Sequence, residues 1–282
     1  MHNKKAIEHI GGSDKCIFVR LVAGLGNQLY IYATGIVAKN KTGKSLCLLY
    51  TDNSHSKIDY RKVLFKQGIP VETTDMQKRI DTSTKILNIV HNPHNNWEPT
   101  NILSNTSKNN LINGIRAYQN YNSIKSAIPT IRADCKEVFE DRYKGFKDTI
   151  ASTSAFMHIR RGDYGPASLA VDYYIKGLSI IDAVPEITSI YILSDDIPWC
   201  KAQNFISSKI QWFDNEDSKD ELKALYLMSL CLGGACISAS TFSSWGVILG
   251  ADQNEKSTIV YPAKWITGGS EKIRFPQRWK SI

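Results

Sequence analysis

Residues 154–164 read SAFMHIRRGDY and join an apolar, strand-like run to a polar turn. Two adjacent arginines, Arg160 and Arg161, end the strand, and a glycine and an aspartate follow them. Guanidinium groups resist burial unless an anion meets them, and their planar fork matches phosphate oxygens. An ordinary surface ion pair with Asp163 would explain the same residues and would mean little. The neighbouring segments decide between these two interpretations.

On both sides of this segment the chain alternates between strand-like and helix-like runs. The first such unit has a strand at 16–22, a glycine turn, a helix from Asn27 to about Asn40 and a strand at 45–50. Strands that alternate with helices indicate a parallel, doubly wound sheet. After residue 153 we predict strands that end at Arg160 and that cover 188–194, 209–213, 235–239 and 257–261, and helices at 171–183, 196–206, 219–231, 241–250 and 271–280.

The segment between these two alternating regions has a different character. From about residue 66 to residue 150 it is polar, rich in asparagine and weak in periodicity, so we expect short helices and loops there. The fold class that follows is α/β, with two Rossmann-like domains facing a cleft. We place these domains at 1–150 and 151–282, with the helix at 271–280 packing back on the first domain.

The overall charge favours an anionic partner. The chain of 282 residues has a formal net charge of +8, and its hydrophobic content of 42% is typical of a folded protein. Lysines and arginines are spread along the chain without a basic block, which argues against a nucleic-acid-binding arm. The six cysteines form no CxxC pair and no cluster with zinc spacing. We therefore expect a reducing compartment and no structural metal.

The sequence also bears on where the protein works. The N-terminus leads into polar residues, so we expect no signal peptide. Residues 224–251 carry no charge, but a double glycine and many hydroxyl groups interrupt them, which argues against a membrane span. We expect a soluble, cytoplasmic protein. Its positive charge leaves open a peripheral contact with the anionic inner face of the membrane.

Two familiar nucleotide-binding motifs fail in the first glycine-rich turn and in the segment that follows it. The dinucleotide fingerprint that would begin at Gly24 needs a third glycine where Leu29 stands, and a phosphate-binding loop ending at Lys44 would need a glycine at Ala38. What remains is Gly26, Asn27 and Gln28 at the start of a helix, where backbone N–H groups favour an anion or a polar substrate group. A plain turn with Asn27 as the helix cap would explain the same residues.

Two more strand ends carry polar residues. Ser194, Asp195 and Asp196 follow a strand, and we expect one aspartate to cap the next helix and the other to bind a ribose or a base edge. Hydroxyl groups and backbone amides form an anion cradle at the last of these strand ends. Its residues are Ser240, Thr241, Phe242 and Ser243. Arginines, aspartates and hydroxyls at three strand ends together predict a pocket for a nucleotide diphosphate.

Six segments of the chain follow one another in a distinctive order: residues 24–30 (GLGNQLY), 158–164 (HIRRGDY), 193–196 (LSDD) with Trp199 and Cys200, 225–231 (LYLMSLC), 240–249 (STFSSWGVIL) and 261–265 (YPAKW). Together they resemble the motifs of the α-1,2-fucosyltransferases of glycosyltransferase family 11, over about residues 17 to 266. In three places the chain differs from the family's usual pattern: Ala23 stands before Gly24 where two glycines are usual, Tyr30 and Ile31 stand where Phe and Gln are usual, and Ser244 replaces the first of two tryptophans.

The resemblance implies a GT-B-like enzyme that transfers L-fucose from GDP-L-fucose, with inversion, to the 2-hydroxyl of a terminal galactoside. It implies no metal and no further cofactor, because the protein itself supplies the positive charge. The first domain would then serve the galactose-terminated acceptor and the second would bind the donor. Arg160 is the first candidate to stabilise charge on the β-phosphate, with Arg161 second. Residues 240–243 would hold the phosphates, and Asp195 or Asp196 the guanosine.

The catalytic base is open at this stage. Asp163 is the nearest carboxylate and could accept the acceptor's proton, or it could hold Arg160 in place. His158 is a further candidate, although a histidine in this place is more often a packed strand residue than a base. Asn27 and Gln28 of the other domain would contact fucose or acceptor. Other interpretations are an α-1,6 or protein-directed fucosyltransferase, a silent nucleotide-sugar-binding module and a nucleic-acid-binding protein.

Overall fold

The computed structural model describes residues 16–50, 58–71, 85–88, 110–113, 120–213, 220–264 and 275–282. The chain forms two compact units, which we call the N-terminal unit (Met1–Cys135) and the C-terminal unit (Lys136–Ile282). The division falls inside a helix, earlier than the cut that the sequence placed near residue 150. Each unit is built around a parallel β-sheet, as the α/β prediction requires.

The N-terminal unit contains five described strands, all parallel, in the order β3-β2-β1-β5-β4. Strand β1 is buried almost throughout because its apolar and β-branched residues suit the centre of a covered sheet. The elements are β1 (Cys16–Leu21), α1 (Leu25–Thr42), β2 (Ser45–Tyr50), α2 (Tyr60–Val63), β3 (Ile69–Val71), β4 (Lys85–Asn88), β5 (Asn110–Asn113), α3 (Tyr121–Ile124) and α4 (Ile128–Arg142), which crosses the division between the units.

The described residues of the C-terminal unit form six strands, all parallel, in the order β11-β10-β9-β6-β7-β8. Numbered from β6, this is the doubly wound order 3-2-1-4-5-6 of dinucleotide-binding sheets. The elements are β6 (Ala155–Ile159), α5 (Val171–Asp182), β7 (Ile190–Ser194), α6 (Ile197–Lys201), β8 (Ile210–Trp212), α7 (Glu221–Leu230), β9 (Gly234–Cys236), α8 (Thr241–Leu249), β10 (Thr258–Tyr261) and β11 (Lys280–Ser281). Short 3₁₀ segments lie at Lys125–Ala127, Phe146–Thr149, Gly162–Ala167, which is kinked at Gly165, and Ala251–Gln253.

The alternation predicted after residue 153 is confirmed down to β10, with shorter elements in two places. Helix α6 ends at Lys201 rather than near residue 206, and β9 ends at Cys236 rather than at residue 239. Residues 237–239 instead lead into the turn before α8, where Ser240 accepts a hydrogen bond from the N–H of Phe242. Strand β9 ends early because the turn before α8 begins here, and Ser240 of this turn caps the helix.

The middle of the chain holds more regular structure than the sequence predicted. Helix α4 is a long helix where short helices and loops were expected, and it buries Ile128, Ile131, Cys135 and Phe139. These residues follow one another at spacings of three or four, which places them on one face. Strands β3, β4 and β5 also fall in this region, where weak periodicity concealed them.

The helix predicted at 271–280 is wrong over its described residues. Residues 275–282 form a turn and then β11, which pairs in parallel with β10 inside the C-terminal unit. Phe275 stacks on Trp279 with 4.9 Å between ring centroids, and the indole N–H of Trp279 donates to Asp252. These tertiary contacts, together with Pro276, override local helix propensity. Residues 271–274, and Trp265 of the last motif, lie outside the described residues.

Among the helices in the described ranges, none combines the length and the apolar character that crossing a bilayer requires. The six cysteines are all buried and unbridged. Burial raises the pKa of Cys200 to about 11, ahead of the smaller effects of nearby aspartates, and likewise disfavours the thiolate form of Cys236. These thiols therefore act as small core residues.

Candidate active site

The order of strands in the C-terminal sheet reverses between β6 and β9. Strand β6 continues into β7 and β8 on one side, and β9 continues into β10 and β11 on the other. In open parallel sheets, ligands bind outside the carboxyl ends of the strands at such a switch point. Ile159 ends β6 and Cys236 ends β9, so the residues that follow them lie at this position. We call residues 160–163, directly after β6, the arginine turn.

Arg160 lies between two carboxylates. One terminal nitrogen is 2.7 Å from Asp163 within the arginine turn, and the other is 2.9 Å from Asp195, which follows β7. The Arg160 side chain is 34% exposed, so it is neither a free surface group nor a core residue. The pair with Asp163 matches the ordinary interpretation, but the second carboxylate comes from the neighbouring strand. The two ion pairs fix the plane of the guanidinium group at the sheet edge.

Asp195 also fastens the backbone of the arginine turn. One of its oxygens accepts the N–H of Arg161 at 2.9 Å, and the other accepts the N–H of Gly162 at 3.0 Å. The register explains this contact, because Ile159 pairs with Ser194 and the next residues of both strands therefore lie side by side. The carboxylate thus joins the ends of β6 and β7.

Arg161 has a different environment from Arg160. Its guanidinium carbon lies 3.8 Å from the ring centroid of Trp199, which belongs to α6. Its Nε atom is buried and has no hydrogen-bond partner among the residues that the structure describes. A guanidinium that stacks on an indole keeps its charge in a partly desolvated place. Sequence reasoning assigned no role to Trp199, although it stands in one of the quoted motifs.

The aspartate next to Asp195 has the structural role expected of one of the pair. Asp196 accepts the N–H of Trp199 at 3.1 Å and so caps α6, while its own N–H donates to Ser194 Oγ at 3.0 Å. Pro198 in the first turn of α6 fits this cap. Ser194 and Asp196 therefore build the turn, and Asp195 faces the arginines.

The hydroxyl groups before and within α8 are bonded inside the protein. Ser240 caps the helix, and the buried hydroxyl of Ser243 is 3.1 Å from the carbonyl oxygen of Ser240. The hydroxyl of Ser244 donates to the carbonyl of Thr241 at 2.8 Å. The serines predicted to hold an anion through their hydroxyls thus shape the turn. Any anion contact here falls to the helix start itself, with Thr241 and Phe242 in its first turn.

His158 connects the two strand ends that flank the switch point. Its Nδ1 lies 3.0 Å from the hydroxyl of Ser238, which follows β9, and its ring packs 5.6 Å from the ring of Phe242. Burial, with a smaller contribution from the positive charge of Arg160, lowers the pKa of His158 to about 3. A neutral imidazole with so low a pKa is a weak proton acceptor. His158 therefore has the buried contacts of a packed strand histidine, and Ser238 is a partner that sequence reasoning missed.

The N-terminal unit carries the other predicted site residues in one turn. Residues 23–26, which we call the glycine turn, follow β1, and helix α1 begins at Leu25 rather than at Asn27. Gly24 occupies the cap position without a side-chain hydrogen bond, so the interpretation of Asn27 as the cap is wrong. The carbonyl of Gly24 accepts the N–H groups of Asn27 and Gln28 at 3.0 and 3.1 Å.

The glycine turn contains a strained residue, and a buried amide packs against it. Ala23 has a φ of 62°, in the left-handed region that favours glycine. Its carbonyl accepts a hydrogen bond from Nε2 of the fully buried Gln28 at 2.8 Å. Oε1 of Gln28 has no partner among the described residues. Gly26 is buried and Asn27 is half-buried, so Asn27 is the more accessible of these two predicted residues.

Within the described ranges, no group of three or more His, Cys, Asp or Glu side chains could hold a metal ion. The predicted site residues of the C-terminal unit fall at one sheet edge. They surround the ends of β6, β7 and β9. The predicted residues Gly26, Asn27 and Gln28 form a second group in the N-terminal unit.

The fold matches several solved structures of sugar-transferring enzymes. The fucosyltransferase NodZ from Bradyrhizobium aligns with a TM-score of 0.54 and 13% identity, over 85% of this chain and 94% of that chain. A structure described as the NodZ α-1,6-fucosyltransferase soaked with GDP-fucose aligns with a TM-score of 0.53 and 13% identity, over 84% and 93% of the two chains. A family 9 glycosyltransferase from Veillonella parvula gives 0.51 and 9%, over 96% and 87%. At such identities the likeness shows the fold, which is GT-B-like.

Sequence comparison narrows the family. The O-antigen biosynthesis glycosyltransferase WbnK of Escherichia coli is 32% identical over 136 residues, which are 45% of this chain and 43% of that protein. The aligned part therefore spans less than half of that relative. The model of the family described as "Glycosyl transferase family 11" matches residues 18–272, which include the glycine turn, the arginine turn and the start of α8. With nearly its whole length matched, the chain belongs to glycosyltransferase family 11.

Proposed function

We propose that the protein transfers L-fucose from GDP-L-fucose, with inversion, to the 2-hydroxyl of a terminal galactoside in a glycan or glycan precursor. The arginine turn is the observation that carries the donor part of this proposal. The α-1,2 linkage and the galactoside rest on the resemblance of the six motifs to α-1,2-fucosyltransferases. Membership of family 11 and the fold shared with NodZ, described as an α-1,6-fucosyltransferase, support fucosyl transfer as the reaction class.

The geometry suits a diphosphate leaving group. When the bond between fucose and the β-phosphate breaks, negative charge grows on the phosphate oxygens while the sugar becomes positive. Arg160 is held in one plane by Asp163 and Asp195, so its fork needs little reorganisation to meet that charge. Arg161, stacked on Trp199, brings a second cation to the same edge. The start of α8 adds the partial positive charge of a helix N-terminus.

The carboxylates and the imidazole take different roles. Asp163 has a side chain that is 61% exposed, so it can contact the acceptor hydroxyl as well as Arg160. We propose Asp163 as the acceptor's proton partner, with an otherwise loose displacement that needs little base assistance. The low pKa of His158 leaves it as a support for the β9–α8 turn.

Acceptor recognition is proposed for the glycine turn of the N-terminal unit. The side-chain amide of the half-buried Asn27 and the backbone at Gly24 are uncharged, which suits sugar hydroxyls better than phosphate. The fully buried Gln28 supports this turn through its hydrogen bond to the carbonyl of Ala23. No carboxylate lies in the first turn of α1. The acceptor we expect is therefore a neutral, galactose-terminated glycan.

The direct test is calorimetric titration of GDP in the presence of EDTA. The wild type is expected to bind, and Arg160→Ala is expected to lose most of this affinity, because one preorganised cation is gone. Arg142→Ala is the matched control, since Arg142 is an exposed arginine of the same unit that contacts Tyr143. Absence of GDP binding to the wild type both in EDTA and with added Mg²⁺ would overturn the donor assignment. Binding that requires a divalent metal would overturn the metal-free part alone.

Turnover is tested next with GDP-fucose and oligosaccharides that end in galactose. Linkage analysis of the product should find fucose on the 2-hydroxyl of galactose with inverted configuration. A 6-linked product, or fucose on a protein, would replace the proposed linkage and keep the donor. GDP binding without turnover on any acceptor would indicate a silent nucleotide-sugar-binding module.

A further inference from the structure

We propose that Asp195 is a positioning residue that organises the arginine turn and does not bind the nucleoside. This inference rests on the proposed function, since it concerns how the same turn meets a diphosphate. Sequence reasoning placed Asp195 or Asp196 on the guanosine, because carboxylates at this sheet edge can bind a ribose. The contacts of Asp195 point to the arginine turn instead.

The carboxylate of Asp195 is nearly saturated by its own protein. One oxygen accepts the N–H of Arg161, and the other accepts the N–H of Gly162 and lies 2.9 Å from a terminal nitrogen of Arg160. A carboxylate offers about four lone-pair positions, so these three contacts leave little capacity for two ribose hydroxyls. The bond from Arg160 joins a cation to the carboxylate, and charge-assisted bonds of this kind are among the strong ones.

Gly162 gives independent support for this assignment. A Cβ atom at residue 162 would lie 2.8 Å from an oxygen of Asp195. The φ of Gly162 is not in the left-handed region, so the backbone alone does not require glycine there. What the position requires is the absence of a side chain, which lets the carboxylate reach the backbone. The sequence therefore keeps room for Asp195 under the arginine turn.

The two carboxylates that pair with Arg160 differ in how rigidly the protein holds them. The Asp195 side chain is 24% exposed and is held by two backbone amides, whereas that of Asp163 is 61% exposed. An arginine on a long, flexible side chain loses rotamer entropy when it binds a phosphate. Asp195 removes part of this loss beforehand by fixing one edge of the Arg160 fork and the backbone of Arg161. Preorganisation of this kind strengthens phosphate binding although the organising group is itself negative.

The test compares GDP with inorganic pyrophosphate, which lacks the nucleoside. Calorimetry, or competition against GDP, gives the affinity of each ligand for wild type and Asp195→Asn. Asparagine has nearly the same size as aspartate, but its NH₂ group is a donor. It therefore places a donor against a backbone N–H group or against Arg160, where aspartate has an acceptor. We expect affinity to fall by about 10- to 100-fold, and by the same factor for both ligands, which corresponds to losing hydrogen bonds to a charged group.

A second variant and a control separate positioning from folding. Gly162→Ala displaces the same carboxylate, and we expect it to weaken GDP and pyrophosphate equally as well. Asp182→Asn is the matched control, because Asp182 accepts a hydrogen bond from Ser207 at 2.7 Å elsewhere in the unit. We expect this control to keep wild-type affinity. Thermal melting of all variants checks that changes in affinity do not follow changes in Tm.

The outcomes are distinct. If Asp195→Asn weakens GDP but leaves pyrophosphate unchanged, Asp195 contacts the nucleoside and the inference is overturned. Unchanged affinity for both ligands overturns it too, as does a wild type that binds GDP but not pyrophosphate. A wild type that binds neither ligand overturns the proposed function itself. In the Arg160→Ala background, Asp195→Asn should have a much smaller effect, since the group that it orients is missing.

Discussion

The glycine turn and the arginine turn occupy equivalent places in the two units but are held by different forces. Each follows the first strand of its sheet, at the position where the strand order reverses. The glycine turn is uncharged, and its carbonyl groups accept hydrogen bonds from the start of α1. The arginine turn is held by carboxylates that pair with Arg160 and bind backbone amides. The same sheet geometry thus carries an uncharged turn in one unit and a charged turn in the other.

This difference indicates what each turn can recognise. Neutral amides and backbone groups suit hydroxyl-rich sugars. Paired cations at the carboxyl ends of the strands, beside the start of a helix, suit phosphates. The charged turn also depends on long-range partners, since Asp195 reaches it from the neighbouring strand. The neutral turn depends on local conformation, since Ala23 has a left-handed φ and Gly24 is extended. Substitutions in the two turns should therefore fail in different ways.

The largest effect is expected from Arg160→Lys. Lysine keeps the positive charge but has no planar fork, so it cannot pair with Asp163 and Asp195 at once and still meet a phosphate. We expect turnover with GDP-fucose to fall by about 10²–10³-fold while Tm changes little. Steady-state kinetics measures the first and thermal melting the second. Turnover close to that of the wild type would show that charge alone matters and that the geometry of the turn does not.

The second prediction uses the pH dependence of stability. The unfolded chain protonates His158 near its ordinary pKa of 6.5, whereas the folded chain does so only near 3. The unfolded state therefore binds more protons between these values, and stability falls as the pH drops through this window. The upper limit is about 1.4 kcal/mol per pH unit.

The substitution His158→Asn should remove this dependence of the free energy of unfolding on pH. Asparagine keeps a hydrogen-bond donor or acceptor for the hydroxyl of Ser238. Urea titrations at pH 6.5, 5.5 and 4.5 give the free energy of unfolding of both proteins. If the wild type is the more stable protein at pH 6.5, the difference between the two free energies of unfolding should shrink or reverse toward acid pH. Curves that stay parallel from pH 6.5 to 4.5 would mean that the His158 imidazole is solvated in the folded protein.

These long-range contacts mark the limit of what the sequence could predict. Alternation of strands and helices predicted the parallel sheets, because short apolar, β-branched runs between helices are typical of strands that are buried on both faces. The sequence also identified Arg160 and Asp163, which are neighbours along the chain. It could not place Asp195 under the arginine turn or Ser238 beside His158, because strand register in the folded sheet creates both contacts.

Local signals also misled in particular places. Asn27 is a good cap residue by type, but the extended backbone at Gly24 starts α1 earlier. The buried face of α4 was present in the sequence as Ile128, Ile131, Cys135 and Phe139, yet the polar composition around it masked the period. Residues near the C-terminus were expected to be helical, and aromatic packing with Asp252 holds them in a strand instead.

The third prediction compares one glycine from each unit. Gly177 in α5 has no room for a Cβ atom, which would lie 2.3 Å from Sγ of the fully buried Cys236 in β9. Gly35 in α1 faces the end of the Leu46 side chain at 2.8 Å, which can move. We expect Gly177→Ala to destabilise the protein by about 1–3 kcal/mol. Gly35→Ala should be nearly neutral, because helix propensity offsets the contact by about 1 kcal/mol.

Urea titration measures both effects. Because β9 ends at the switch point, Gly177→Ala should also weaken GDP binding, whereas Gly35→Ala should not. Equal destabilisation by both substitutions would mean that the two helices pack on their sheets with the same tolerance. The difference between the units would then be confined to the two turns.

The smallest predicted effect concerns the strained residue of the glycine turn. Ala23 has a φ of 62°, and a side chain in the left-handed region raises the energy by about 1–2 kcal/mol. Ala23→Gly removes this strain but makes the unfolded chain more flexible, so we expect a net gain in stability of about 1 kcal/mol. Ala38→Gly, at a buried site in α1, should instead destabilise by about 1 kcal/mol or more. If both substitutions destabilised the protein in urea titrations, the left-handed conformation of Ala23 would carry no strain, and the neutral turn would be held by its hydrogen bonds alone.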